Sequence, residues 1–345
     1  MQGLRPIKLL DLSSQHTMQE RRISYAEAIL EATDQAMSIS SDVIVLGQLS
    51  DLPSGMFGTT AGLVEKYGRH RVHDFPVAEN LMTAVALGTA LTGHRPLIVH
   101  HRLDFMMYSI DVIVNWLSLW YFKSNGKSNV PVTIRAIVGK GWGQGPQHSK
   151  SLHSWFSHLP GLRVAVPATA FDAKGLLMES LLGATPTIIV EGRNLFSMTE
   201  HVPEEPYRIP FGRAFVRRSG EDLTLVAIGT MVPIALRAAE LAKSDGISVE
   251  VIDPRTLAPL DRDTICNSVS KTGRLVVADP GWRSFGAAGE IVTVVAEAVG
   301  NKLKSNPIRI THPDSHTPMS MTLESKFYPT ETNIRDAIST AYHST

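Results

Sequence analysis

Short, continuously apolar runs alternate with segments of helical period along most of this chain. That alternation restricts its possible folds more than any other feature. DVIVLGQ, RVHDFPV, RPLIVHH, VPVTIRAIVG, LRVAVPA and TPTIIVEG are brief and rich in β-branched residues, as strands buried on both faces must be. Between them, SYAEAILEATDQAMSIS, AENLMTAVALGTALTG and AFDAKGLLMESLLGA carry apolar residues at helical spacing. Buried strands alternating with helices imply a parallel sheet covered on both sides, an α/β fold. The rhythm breaks over residues 198–212, MTEHVPEEPYRIPFG, a Pro- and Glu-rich stretch without a period. It restarts with DLTLVAIG, ISVEVIDP, RLVVADP and PIRITHP as strands, and with helices from Met231, Asp261 and Ala287. The reading is an N-terminal extension over 1–20, a first α/β domain over 21–197, a linker over 198–212 and a second α/β domain over 213–345.

Composition removes several classes of function. Lys plus Arg and Asp plus Glu both number 33 in the 345 residues, so no net charge draws the chain to nucleic acid or an anionic membrane. A single cysteine, Cys266, cannot close an intrachain disulfide, which suits a reducing compartment. No window approaches the roughly 18 apolar residues of a membrane span, and the N-terminus lacks the apolar core of a secretory signal. A cytoplasmic protein is the expectation. The most apolar stretch, 105–122, holds Trp116, Trp120 and Tyr121 and reads as one long helix, apolar nearly all round. Such a helix must be covered on every side, at a subunit interface or in the centre of a domain.

Familiar phosphate-binding devices are missing: there is neither a G-x-x-x-x-G-K-[ST] loop nor a G-x-G-x-x-G at a strand–helix turn. His148, His153 and His158 are five residues apart, whereas ligands on one helix face are three or four apart, so no metal site is predicted. Three positions carry possible chemistry, each with an ordinary alternative. Glu79 opens a helix after a strand, where a carboxylate is favoured by the helix dipole alone. Phe105 lies just past a strand end, where parallel sheets gather ligands, yet aromatic residues there also serve as core. His148 is at the tip of the loop GWGQGPQHSK, and a lone loop histidine is ordinarily solvated.

Four stretches decide between these readings. GLVEKYGRHRVHDFPVAEN, HSKSLHSWFSHLPGLRVAVPATAFDAKGLL, VIDPRTLAPLDRDTI and KTGRLVVAD, in this order, resemble the β subunit of thiamine-diphosphate-dependent 2-oxo acid dehydrogenases. This is the pyruvate and branched-chain type, in the transketolase-like superfamily. The resemblance implies a pyrimidine-binding domain followed by a transketolase C-terminal-like domain. It implies that Glu79 hydrogen-bonds the aminopyrimidine ring of thiamine diphosphate and holds its imino tautomer, and that Phe105 stacks on that ring. It gives His148 a catalytic role on an active-site loop, in proton transfer and acyl transfer. The family's other half-site, a GDG…N motif that holds Mg²⁺ and the diphosphate, is absent from this chain. The resemblance therefore implies an α subunit carrying that motif, a cofactor shared with it, an α2β2 assembly, and a lipoyl acyltransferase as possible further partner.

The chain departs from its relatives around the substrate. Where they read QFADF or QFADY, it reads HRLDF, so His101 replaces a glutamine near the cofactor and Arg102 an aromatic residue. Together with Ser149 and Lys150 beside His148, Arg102 is a candidate substrate contact, and such cations would favour an anionic or phosphorylated group. Gly183 stands where relatives with a monovalent-cation site carry an aspartate, so that site is not predicted. The leading expectation is decarboxylation of a 2-oxo acid with acyl transfer to a lipoyl domain. The alternatives are a transketolase-like carboligase that uses an aldehyde or sugar acceptor, and a non-catalytic assembly subunit.

Overall fold

The computed structural model describes residues 21–141 and 143–344, and the extension assigned to 1–20 lies outside them. The chain forms two compact units. Among the described residues, one holds residues 21–138 together with Phe156–Phe211; the other holds those between Gly139 and Trp155 together with those from Gly212 onward. The loop that carries His148 thus belongs to the second unit, although both of its flanks in sequence belong to the first.

In the first unit, β1 (Arg22–Ser24), β2 (Val43–Gly47), β3 (Val72–Asp74), β4 (Arg95–His100), β5 (Thr133–Val138), β6 (Arg163–Ala165), β7 (Thr187–Gly192) and β8 (Thr199–His201) follow one another along the chain. The parallel sheet runs β6-β7-β5-β4-β2-β3. Every residue of β2, β5 and β7 is buried, as their unbroken apolar runs require. The helix Tyr25–Ile39 starts at a capping box in which Ser24 and Glu27 satisfy each other's backbone amides. It packs against the helix Ala170–Leu182, whose N-cap Thr169 accepts from the Asp172 amide. Within the stretch read as a linker, β8 pairs antiparallel with β1, Thr199 opposite Ser24. At the centre of the sheet Arg135 makes a two-pronged ion pair with Glu191, at 2.6 and 2.8 Å, with both side chains sealed from water.

The single helix expected over 105–122 is instead a broken series. Leu103–Met106 and Ile110–Val112 are α-helical, Met107–Ser109 is a 3₁₀ turn, Ile113–Leu117 is a π turn, and Trp120–Lys123 is α-helical again. The wide turn arises where the Ser118 amide bonds to the Ile113 carbonyl while the Ser118 hydroxyl takes the Val114 carbonyl, at 2.6 Å. Nor is the segment covered on all sides by its own chain. Val112, Ile113 and Leu117 are buried, but Tyr108, Tyr121 and Phe122 are 70, 57 and 86 % exposed.

In the second unit, β9 (Phe215–Arg218), β10 (Leu223–Ala227), β11 (Val249–Asp253), β12 (Thr256–Ala258), β13 (Leu275–Trp282) and β14 (Ile308–His312) are the strands. Its sheet runs β14-β13-β10-β11-β9 and is parallel except for the edge strand β9. The helices Val232–Ser244, Arg262–Thr272 and Ala287–Val299 begin where the sequence places them. The edge strand β9 and the helices Met321–Phe327 and Glu331–His343 have no counterpart in the sequence reading. Among the described residues no helix is long and apolar enough to cross a membrane.

Candidate active site

Ligands of parallel sheets collect beyond the carboxyl ends of the strands, and in the first unit three chain segments meet there. Gln48 follows β2, His101 follows β4, and Glu79 opens the helix Glu79–Leu91 after β3. Ala78 provides no side-chain cap, so a carboxylate in that first turn is favoured by the helix's own dipole. Glu79 is only 8 % exposed, and Gln48 Nε2 donates to its Oε1 across 3.4 Å. Its other oxygen, Oε2, is not sealed from solvent and is open to a ligand. A covered carboxylate needs hydrogen-bond donors, and an aminopyrimidine N–H is a donor of the right kind. On this observation the residues present fit the pyrimidine end of thiamine diphosphate.

Gln48 also fixes His101. Its backbone carbonyl lies 2.5 Å from His101 Nε2, so Nε2 must carry the hydrogen. The other nitrogen, Nδ1, is buried with no partner among the described residues. Burial holds the His101 imidazole below its ordinary pKa, opposed by the Gln48 carbonyl and reinforced by Arg135 and Arg102. One ring nitrogen of His101 is thus engaged by the protein, and the other is left without a partner among the described residues.

Arg102 precedes the short helix Leu103–Met106, on which Phe105 lies half-buried. Its Nη1 donates to the His101 carbonyl at 2.8 Å, and its guanidinium stands 5.8 Å from the centre of the Phe57 ring. Arg193 lies over the same ring at 4.4 Å. Phe57 has φ +56°, a left-handed backbone that an aromatic residue rarely adopts. Burial lowers the pKa of both arginines, and for Arg102 the nearby Asp104 works against it. Phe57 and Arg193 were not singled out by sequence; no motif marks either.

The loop residues sit in the second unit. His148 is half-exposed, Ser149 buried and Lys150 half-buried. Gly143 and Gly145 both have positive φ, and a Cβ on either would come within 2.7 Å of Met319. These glycines therefore permit close approach to the Met319 backbone and side chain. His153, set aside as a metal ligand on spacing, is instead bonded through Nε2 to Asp279 Oδ1 at 2.8 Å, both groups buried. Burial would raise the Asp279 carboxyl, but His153 and the Ala288 and Gly281 amides outweigh it and hold it below the usual carboxylate range. The structure thus brings Glu79, His101 and Arg102 together through Gln48 in one unit, and groups His148, Ser149 and Lys150 in the other. Among the described residues no group of three or more His, Cys, Asp or Glu could hold a metal ion.

Residues 21–198 match the transketolase pyrimidine binding domain, and residues 212–334 match the transketolase C-terminal domain. The β subunit of acetoin:2,6-dichlorophenolindophenol oxidoreductase from Cupriavidus necator is 38 % identical over 327 residues, covering 92 % of this chain and 96 % of that one. The pyruvate dehydrogenase E1 component β subunit of Acholeplasma laidlawii is 36 % identical, covering 86 % of this chain and 91 % of its own. Among solved structures, a split-gene transketolase described as an inactive β4 tetramer superposes with a TM-score of 0.74 at 24 % identity, over 93 % of this chain and 99 % of that one, a likeness of fold. The chain belongs to the transketolase-like family, among the β subunits of the pyruvate and acetoin dehydrogenase type.

Proposed function

We propose that this chain is the β subunit of a two-component thiamine-diphosphate-dependent enzyme that decarboxylates a 2-oxo acid and passes the acyl group to a lipoyl domain. The observation that carries the reading is the Glu79 carboxylate, covered by protein yet supplied with a single long hydrogen bond from Gln48. Thiamine diphosphate, when bound, supplies the nucleophilic carbon that attacks the oxo group. Glu79 holds the aminopyrimidine ring and its tautomer, and Phe105 offers that ring an aromatic face. His148 moves a proton to or from the reacting group at its imidazole. Carbon dioxide leaves, and the aldehyde-level fragment that remains is oxidised to the acyl level as the lipoyl disulfide is reduced to a thioester and a thiol.

Mg²⁺ and the diphosphate are assigned to an α subunit with a GDG…N motif, since this sequence lacks one. The exposed face of Tyr108, Tyr121 and Phe122 is the surface on which an α2β2 assembly draws. The test is purification of the chain from its native cells, followed by assay of the complex with 2-oxo acids and an artificial electron acceptor. Acetoin belongs in the same panel, because the Cupriavidus relative is named for it. A partner with GDG…N, a lipoyl protein and turnover of a 2-oxo acid is the expected outcome; no thiamine-binding partner would sink the proposal.

One observation favours a second reading. Arg102 and Arg193 both approach the Phe57 ring, and paired guanidiniums suit a phosphorylated acceptor. A carboligase that passes the carbanion to an aldehyde or sugar phosphate follows if the purified complex has no lipoyl protein and consumes such acceptors.

A further inference from the structure

Within the loop Gly139–Trp155 the backbone makes a turn at its tip, where His148 N donates to Gly145 O at 3.4 Å. The loop is held at both ends by acidic residues far along the chain, within the same unit. At its start, Glu324, 3 % exposed on the helix Met321–Phe327, accepts from two loop amides: Gly141 N to Oε1 at 2.9 Å and Gly143 N to Oε2 at 2.8 Å. Tyr328 supports that carboxylate with its hydroxyl, 3.3 Å from Oε1, and Lys140 lies 4.6 Å over the Tyr328 ring. At the loop's far end, His153 Nε2 meets Asp279 Oδ1, and Asp279 also accepts from Gly281 N at 2.8 Å and Ala288 N at 2.9 Å. Ala288 lies in the first turn of the helix Ala287–Val299, so this end is fixed to a strand and a helix of the second unit.

Two buried carboxylates therefore grip one glycine-rich loop, Glu324 through two loop amides and Asp279 through His153. A buried carboxylate persists only where such bonds compensate its lost hydration, and bonds from backbone amides to a charged oxygen are the stronger kind. A segment with several glycines has the most conformational freedom to lose. Fixing both ends narrows the range of positions open to the imidazole between them, and proton transfer needs one position.

We infer that Glu324 and the His153–Asp279 pair are positioning residues, which hold the Gly139–Trp155 loop and set the place of His148. The inference rests on the reading that His148 acts in the reaction. Neither Glu324 nor Asp279 need touch substrate; each acts through the loop.

The experiment combines amide hydrogen exchange of the full chain with kinetics of the assembled enzyme, for Glu324→Gln, Glu324→Ala, Asp279→Asn and His148→Ala, and for His148→Ala with Glu324→Ala. Exchange in the peptide spanning the loop is expected to rise in the Glu324 variants, with the sheet amides of β10 and β13 unchanged. Turnover should fall about 10- to 100-fold, the scale of a misplacement of about 1 Å, with KM for the donor little changed. The double variant should be no slower than His148→Ala alone, because the anchor has nothing left to position. Asp279→Asn is buried more deeply; should it fail to fold, the Glu324 pair still decides. Unchanged loop exchange in Glu324→Ala, or losses that multiply in the double variant, would overturn the inference. Full turnover in His148→Ala would instead overturn the reading beneath it, and with it the catalytic meaning of the anchors, while the exchange data still report whether the anchors exist.

Discussion

Gln48 joins two residues from different strand ends: its side-chain amide donates to Glu79 Oε1 at 3.4 Å, while its backbone carbonyl lies 2.5 Å from His101 Nε2. Glu79 is thus oriented by a neutral amide and left with an oxygen to offer. Glu79→Gln keeps the shape and removes the charge. Turnover of the assembled enzyme should fall by about 10²–10⁴-fold, the range of a lost proton-transfer partner. The melting temperature should stay close to wild type, and full activity in this variant would leave the carboxylate with a merely structural role.

His148→Ala removes the imidazole from a half-exposed loop tip and disturbs no packed core. Acyl transfer should drop by a similar factor while thiamine diphosphate binding, followed by calorimetry on the complex, is retained. A parallel loss of cofactor binding would place His148 in assembly of the site instead.

The Arg135–Glu191 pair predicts a stability signature. Both side chains are sealed in the sheet, so removing one partner strands a buried charge. Arg135→Met should cost about 3–5 kcal/mol in urea unfolding, and Arg135→Met with Glu191→Leu should recover much of it. Equal stability of the single and double variants would mean that the cavity, and not the charge, sets the cost.

Acid should weaken the fold through two histidines. Burial lowers His100 to about 3, aided by its neighbour His101. Burial likewise lowers His312 to about 3, with Lys140 and His153 adding to the shift and Asp279 opposing it. Both are neutral when folded and titrate near 6.5 when unfolded, so their stabilisation is complete above about pH 6.5 and is lost as pH falls towards 3. The urea midpoint should therefore fall between pH 7 and pH 5, and His312→Leu should flatten part of that fall. A variant that tracks wild type across this window would refute the assignment for His312.

The exposed aromatic face predicts a binding defect without unfolding. Phe122→Asp changes a residue 86 % exposed, so stability of the isolated chain should shift by no more than about 0.5 kcal/mol. Co-purification with the α partner and the mass of the assembly in solution should both fall. An intact assembly would move the interface elsewhere.

The sequence by itself determined the parallel α/β units, because a strand buried on both faces writes its burial into a short apolar run, and a helix writes its exposed face into the period. It also placed Glu79 at a helix start and marked His148 as a loop residue. Only the tertiary structure decided what these residues face. Arg135 and Glu191 are 56 residues apart, and His153 and Asp279 are 126 apart, so no local pattern could pair them. The wide turn at Ile113–Leu117 goes with a serine hydroxyl that takes the Val114 carbonyl, and apolar periodicity carries no trace of it. Likewise, Gly139–Trp155 joins the second unit through Glu324 and Asp279, which lie far downstream of the loop that they hold. Periodicity reports burial along one element; hydrogen bonds between distant elements depend on where the folded chain brings them.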